Sequence, residues 1–211
     1  MRFGEDYFRK IYDENSLIDG DFNAKSHVDY LKATFKLLEF PLETVADFGF
    51  GKAKVFYELY RTLKPKSLYG LEVSEFAFQN LNDSGWLKRS SGVEIENIGL
   101  CDFVPPEASF DIGVCNSVLQ YIPDVELEKA VSILAYSCKY IYLHVPTKED
   151  YGKLEESLNF KDPYALQRSD KEYRDLFSYY FTPVSWGIME SKYLVENMNS
   201  CFFDSLYRFD F

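Results

Sequence analysis

Short apolar runs alternate with helical segments between residues 40 and 146 of this 211-residue chain, and this alternation limits the fold more than any other feature. The apolar runs are predicted strands over residues 44–48, 67–72, 94–98, 110–115 and 140–145. The segments between them carry apolar residues at helical spacing, and Ser74 is predicted to cap the second of these helices. Strands connected through helices pair in parallel, and a strand buried on both faces is nearly all apolar, as residues 110–115 are. The pattern predicts an α/β fold, a doubly wound and mostly parallel sheet with helices on both faces.

Both ends of the chain depart from this alternation. Residues 1–43 are predicted to be helical, with Ser26 as the cap of a second helix. Residues 147–168 are charged and have no clear period, after which Ser169 and Glu172 form a capping box. Two further strands are predicted over residues 181–188 and 202–211.

Charge and composition exclude several kinds of protein. Lysine and arginine number 23 and aspartate and glutamate 34, which gives a formal net charge of −11. A surface this acidic repels phosphate backbones, so a nucleic-acid partner is not expected. No apolar stretch reaches the ~20 residues of a membrane span, and residues 1–6 do not begin a signal peptide.

The cysteines and histidines argue against a metal site. There are only 2 histidines and 4 cysteines, and no two cysteines form a CxxC pair. Three of the cysteines lie in or beside apolar strand-like runs, which favours buried free thiols over disulfides. We therefore expect no bound metal and a cytoplasmic location.

The turn after the first predicted strand is the strongest local signal, and it reads Asp47-Phe48-Gly49-Phe50-Gly51. Its two glycines allow a ligand to approach the backbone closely, and the amides of the next helix face that ligand. A phosphate-binding P-loop is excluded because the required Lys-Ser or Lys-Thr pair is missing. A dinucleotide fingerprint would need Gly or Ala where Lys54 stands. A turn that only connects a strand to a helix is the alternative.

Polar residues also follow the next three strands. Glu72 ends the second strand, where a carboxylate can accept from both hydroxyls of a ribose. After the third strand, Asp102 stands beside Phe103, a pair that suits the amine and the face of a purine. The fourth strand opens into Asn116 and Ser117. Ordinary roles as strand-end, turn and core residues remain open for each of them.

These motifs, DFGFG, GLEVS, the Cys-Asp-Phe step and FDIGVCNSVLQYIPD, resemble in order and spacing the class I S-adenosylmethionine-dependent methyltransferases. The resemblance covers roughly residues 40–146. It implies a seven-stranded sheet whose last strand is antiparallel, with S-adenosylmethionine as cofactor. It also implies methyl transfer by in-line displacement to an oxygen or nitrogen atom of an acceptor. The acidic composition and the compact size, with one insertion, favour a small molecule as that acceptor. We expect one domain over residues 1–211, with 1–43 as an N-terminal lid and 147–180 as a substrate-side insertion.

The resemblance implies a set of cofactor-binding residues. They are Asp47, Gly49, Phe50, Gly51, Glu72, Val73, Cys101, Asp102, Phe103, Asn116, Ser117 and Gln120. Asp47 and the glycine turn would hold the methionine end of the cofactor. Glu72 would take the ribose hydroxyls, with Val73 beside the adenine. Asp102 would bind the adenine amine, and Phe103 would flank the ring.

The residues nearest the chemistry are less well marked. Asn116 and Ser117 would lie under the methionyl group, and Gln120 near the transferable methyl. His144 and Tyr121 are the candidate catalytic residues, although the alternation around His144 fits a core histidine as well. A monomer or homodimer is expected. The alternatives are a methyltransferase-fold module without turnover and a nicotinamide-dependent oxidoreductase, whose Tyr-xxx-Lys pair is missing near the fourth strand.

Overall fold

A computed structural model describes residues 3–11, 20–158 and 160–195. The strand predicted over 202–211 lies outside these residues, as does Cys201. Seven strands are described: β1 Thr44–Phe48, β2 Ser67–Leu71, β3 Val93–Glu96, β4 Phe110–Asn116, β5 Cys138–His144, β6 Phe181–Ser185 and β7 Ile188–Ser191.

The seven strands form one sheet in the order β3-β2-β1-β4-β5-β7-β6. Strands β1 to β5 pair in parallel, and β7 runs antiparallel to both β5 and β6. The order reverses direction at β1 and β4, so their carboxyl ends flank the crevice where sheets of this kind bind ligands. The predicted doubly wound sheet with an antiparallel last strand is confirmed.

Helices cover both faces of the sheet. They are α1 Glu5–Ile11, α2 Ala24–Leu37, α3 Lys54–Glu58, α4 Glu75–Asn82, α5 Asp124–Ser137, α6 Lys148–Leu158 and α7 Asp170–Tyr180. A π-helical turn, Leu59–Leu63, continues α3, and Leu119–Tyr121 forms a 3₁₀ turn after β4. The caps predicted at Ser74 and at Ser169 with Glu172 are both present, because each depends only on residues three apart.

Two apolar clusters, one on each face, hold the layers together. Strand β1 contributes Phe48 to the cluster beneath α5 and α7. Val45 of the same strand belongs to the cluster beneath α2 and α3. Side chains alternate between faces along a strand, so one short strand anchors both clusters and its carboxyl end is held rigidly. The cysteines Cys115 and Cys138 are buried free thiols.

Two local predictions are wrong. Residues 181–188 are not one strand, because Trp186 and Gly187 form a turn in which Gly187 has a φ of +68°, and the chain reverses there into β7. Ser26 is not a cap, because α2 begins at Ala24 and follows Asn23. The side chain of Asn23 instead accepts a hydrogen bond from the Gly20 amide, which fixes the turn before the helix.

Candidate functional site

A cavity of about 340 Å³ lies at the carboxyl ends of β1, β2 and β4, beneath α1. Eleven of the predicted site residues line it: Asp47, Gly49, Phe50, Gly51, Glu72, Val73, Cys101, Asp102, Asn116, Ser117 and Tyr121. They come from four separate motifs, so the fold brings together at one place what the sequence spreads over some seventy positions.

The glycine turn has the backbone geometry that its sequence predicts. Gly49 has a φ of +106°, and a Cβ there would lie 2.5 Å from Val118 Cγ2. The amides of Gly49 and Phe50 both donate to the Leu71 carbonyl, at 2.9 and 3.2 Å. These contacts bring the turn against the end of β2, where no larger residue than glycine fits without displacing Val118.

Glu72 is oriented by backbone amides from both sides. Its Oε2 accepts from the Gly51 amide and its Oε1 from the Ser74 amide, each at 2.8 Å. Burial raises the pKa of Glu72, and the hydrogen bonds from Ser74 and Gly51 partly oppose that rise. Each carboxylate oxygen has lone-pair capacity beyond its one amide, so a ligand with two neighbouring hydroxyls can be bound by both oxygens.

Asp47 is the most perturbed titratable group of the cavity. Its side chain is 2 % exposed, and its Oδ2 has no hydrogen-bond partner. Burial raises the pKa of Asp47 to about 8, and the nearby charge of Glu72 adds to the rise. A buried acceptor without a partner costs free energy, so the site is built for a ligand that brings a donor, preferably a cationic one.

Asn116 presents a second buried acceptor of this kind. Its Oδ1 also has no partner. On its other side the chain packs closely, because a Cβ added to Gly20 would lie 2.3 Å from Asn116 Nδ2. Asp47 and Asn116 both line the cavity. The wall that is predicted to hold the methionine end of the cofactor therefore carries two buried acceptor atoms to which no protein group donates.

Three predicted site residues do not line the cavity. Phe103 packs in the core, with its ring centroid 5.8 Å from Phe48. Gln120 is 2 % exposed, and its carbonyl is bound to the Leu166 amide. His144 lies among aromatic rings, 5.0 Å from His27 between centroids. The structure therefore does not place Phe103, Gln120 and His144 in the lining of this cavity, and their roles at the cofactor stay predictions.

The residues that form the roof of the cavity are not among the predicted site residues, although a lid was expected over residues 1–43. Phe3, Tyr7 and Phe8 from the segment of α1 line it, and so does Asp21, which pairs with Lys52 at 3.1 Å. The α1 segment is attached at one end by Ser74, whose hydroxyl donates to the Phe3 carbonyl. The signals for this role were the lid expected over residues 1–43 and the helical spacing of Tyr7 and Phe8, and that spacing also fits a core helix.

Residues 160–169, which we call the strap, hold the loop that carries Tyr121. The Leu166 amide donates to the Gln120 carbonyl at 2.7 Å. The buried Arg168 guanidinium donates to the carbonyls of Leu119 and Ile122 and to Asp124. Part of the insertion predicted on the substrate side is therefore hydrogen-bonded to the loop that forms one wall of the cavity.

No protein-family model matches the chain, and no curated protein matches it in sequence. Solved structures do share its fold. Magnesium protoporphyrin IX methyltransferase from Synechocystis PCC 6803, solved with bound SAH, is 20% identical with a TM-score of 0.58 and covers 88% of this chain and 92% of its own. The N-methyltransferase NodS from Bradyrhizobium japonicum WM9, in complex with S-adenosyl-L-homocysteine (SAH), is 11% identical with a TM-score of 0.62 and covers 89% and 97%.

A third structure with this fold is the small RNA methyltransferase HEN1, which is 14% identical with a TM-score of 0.61 and covers 84% of this chain and 27% of its own. The chain therefore has the fold of the class I S-adenosylmethionine-dependent methyltransferases.

In the part of the chain that the structure describes, no group of three His, Cys, Asp or Glu side chains is arranged to hold a metal ion. Within the same residues, no helix is both long and apolar enough to cross a membrane.

Proposed function

We propose that this protein binds S-adenosylmethionine and transfers its methyl group to an oxygen or nitrogen atom of a small-molecule acceptor. The observation that carries the proposal is the buried Asp47 side chain, whose Oδ2 has no hydrogen-bond partner, beside a glycine turn whose Gly51 amide orients Glu72. Asp47 can accept from an ammonium group, and Glu72 is oriented to accept from the hydroxyls of a ribose. Together they suit a ligand that carries both of these groups.

The residues present fit the cofactor. Asp47 and Asn116 would accept from its ammonium group, Glu72 would accept from the ribose hydroxyls, and Asp102 would accept from the adenine amine. When bound, S-adenosylmethionine supplies a methyl group already activated on a sulfonium. The chain itself would then need to align the acceptor and to exclude water, and the roof formed by Tyr7 and its neighbours is placed to serve both needs.

A nicotinamide-dependent oxidoreductase is less well supported by the geometry of the site. Its cofactor would place a diphosphate at the glycine turn. There the Gly51 amide, a donor that such a phosphate would need, already donates to the buried Glu72 side chain. The surface charge of −11 likewise supports a small-molecule acceptor over a nucleic acid, although the fold is shared with an RNA methyltransferase.

Of the two candidate catalytic residues, Tyr121 is the one that we retain, because it lines the cavity and His144 does not. A monomeric or homodimeric state remains part of the proposal, and so does a cytoplasmic location, which the buried free thiols of Cys115 and Cys138 support.

Calorimetric titration of the protein with S-adenosylmethionine, S-adenosylhomocysteine and NADH tests the cofactor. We expect micromolar binding of both adenosyl ligands and no binding of NADH. Binding of NADH alone would overturn the proposal. A screen of candidate acceptors for S-adenosylhomocysteine release then separates an enzyme from a binding module, because a module without turnover would bind the cofactor and release nothing.

A further inference from the structure

Three side chains from distant segments form a hydrogen-bonded chain at the edge of the cavity. The Tyr121 hydroxyl lies 2.6 Å from Asp162 Oδ2, and the Tyr7 hydroxyl lies 2.8 Å from Tyr121 Oη. Tyr7 belongs to α1, Tyr121 to the turn after β4, and Asp162 to the strap. Tyr7 and Tyr121 line the cavity, and Asp162 lies behind them.

The chemistry of these groups fixes the direction of the chain. An ionised carboxylate only accepts, so Tyr121 donates its hydrogen to Asp162 Oδ2. The Tyr7 hydroxyl lies 2.8 Å from Tyr121 Oη and 3.2 Å from the same Asp162 Oδ2, so its hydrogen is shared between these two acceptors. The other oxygen of Asp162 accepts from the Tyr164 amide at 2.9 Å. A hydroxyl that donates to a carboxylate becomes a better acceptor itself, because successive hydrogen bonds polarise one another.

The position of Tyr121 is held from both sides. The Leu166 amide binds the carbonyl of the preceding residue, Gln120, and Arg168 binds the carbonyl of the following residue, Ile122. Asp162 itself is only 9 % exposed. The strap therefore supplies both the carboxylate and the contacts that keep the tyrosine aimed at the cavity.

We propose that Tyr121 and Asp162 form the proton-accepting pair for the methyl acceptor, with Tyr121 as the catalytic residue and Asp162 as the positioning residue that acts through it. The inference rests on the proposed function. The acceptor's O–H or N–H takes the place of the Tyr7 hydroxyl as the donor to Tyr121 Oη.

The proton balance of the step is simple. The acceptor X–H bond breaks, and its electron pair stays on X for the new bond to carbon. The proton forms a new O–H bond on Tyr121 Oη as the original O–H bond of Tyr121 breaks, and that proton bonds to Asp162 Oδ2. The cavity thus loses a sulfonium charge and a carboxylate charge together, so no unpaired charge remains in a poorly solvated site.

The test compares the binding of two cofactor analogues, so it does not require the acceptor. Sinefungin carries an amine-bearing carbon where S-adenosylmethionine has its methylsulfonium, and S-adenosylhomocysteine has neither group. We expect Tyr121→Phe and Asp162→Asn each to weaken sinefungin about tenfold and to leave S-adenosylhomocysteine within about twofold. Tyr179→Phe and Asp83→Asn, at exposed positions, are the matched controls and should change neither affinity.

Tyr7→Phe makes the test sharper, because it removes the donor that competes for Tyr121 Oη. We expect its sinefungin affinity to be unchanged or up to about threefold tighter. Equal weakening of both analogues by Tyr121→Phe or Asp162→Asn, or undiminished sinefungin binding, would overturn the pair. Failure of the wild-type protein to bind either analogue would instead overturn the proposed function, so the two failures are distinguishable. Preserved S-adenosylhomocysteine affinity shows that a variant is folded.

Discussion

Asp47 couples the cofactor site to the stability of the protein. Its pKa is raised by burial to about 8, so between pH 4 and 8 the folded chain binds a proton that the unfolded chain releases. Stability therefore falls as pH rises through this range. Asp47→Asn keeps the shape of the protonated acid and cannot ionise. We expect the variant to melt at a higher temperature than the wild type at pH 8.5, and at the same temperature at pH 4.

Thermal unfolding monitored by circular dichroism at a series of pH values makes this comparison. Asp83→Asn, whose side chain is mostly exposed, is the control and should follow the wild type at every pH. An Asp47→Asn variant that is less stable than the wild type at pH 8.5 would contradict the prediction, because it would mean that the ionised carboxylate has a partner in the folded protein.

Under the proposed function, the same residue makes ligand binding depend on pH. A ligand ammonium group binds the ionised form of Asp47, and the free protein holds the proton up to a pKa of about 8. We expect the affinity for S-adenosylhomocysteine to rise between pH 6 and 8, by at most about tenfold per pH unit for one released proton. Titrations in two buffers of different ionisation enthalpy would count that proton. A pH-independent affinity would place the ammonium elsewhere.

Substitution of Gly49 tests whether the ligand contacts the glycine turn. Its φ of +106° disfavours any other residue, and a Cβ would lie 2.5 Å from Val118. We expect Gly49→Val to abolish S-adenosylhomocysteine binding in calorimetry. Gly152→Val on α6, where a Cβ meets nothing within 4 Å, controls for the loss of glycine itself. Wild-type affinity in Gly49→Val would remove the turn from the site.

At the scale of elements, the strap stabilises the loop after β4 through one buried cation. Arg168 is 5 % exposed and donates to the Leu119 and Ile122 carbonyls. Arg168→Met would leave both carbonyls without their donor, and we expect a loss of about 3 kcal/mol in the free energy of unfolding. Urea denaturation measures the loss. Arg174→Met, an exposed ion-pair partner on α7, should cost less than about 1 kcal/mol.

The elements that sequence reasoning located are those whose signals are local. The glycine turn, the Ser74 cap and the capping box at Ser169 each depend on residues within a few positions of one another. The contact between Tyr121 and Asp162 joins residues 41 positions apart, and nothing in the charged, aperiodic run around Asp162 identified it. The β6–β7 reversal was missed because a single glycine, Gly187, marks it.

For Phe103 and His144, the sequence failed to predict the direction of the side chain. His144 lies at the end of β5 as predicted, whereas Phe103 lies beyond the end of β3, after the 3₁₀ turn Leu100–Asp102. The direction of each side chain depends on what packs around it. Phe103 found a place against Phe48, and His144 against His27 and Trp186. Sequence motifs thus located the backbone of the site better than its side chains.

For the whole molecule, a ligand that binds only the folded state stabilises it by mass action. At a concentration of one hundred times the dissociation constant the gain is about 2.7 kcal/mol. For a chain of 211 residues, each kcal/mol raises the melting temperature by about 2–4 °C, so S-adenosylhomocysteine should raise it by about 5–10 °C. Glu72→Ala removes the acid that binds Gly51 and Ser74, and we expect it to reduce that shift strongly. Scanning fluorimetry measures both. If Glu72→Ala kept the full rise in melting temperature, the ligand would bind outside the cavity. If only Glu72→Ala and Asp47→Asn lost that rise, the stabilisation of the whole fold by the ligand would depend on these two carboxylates.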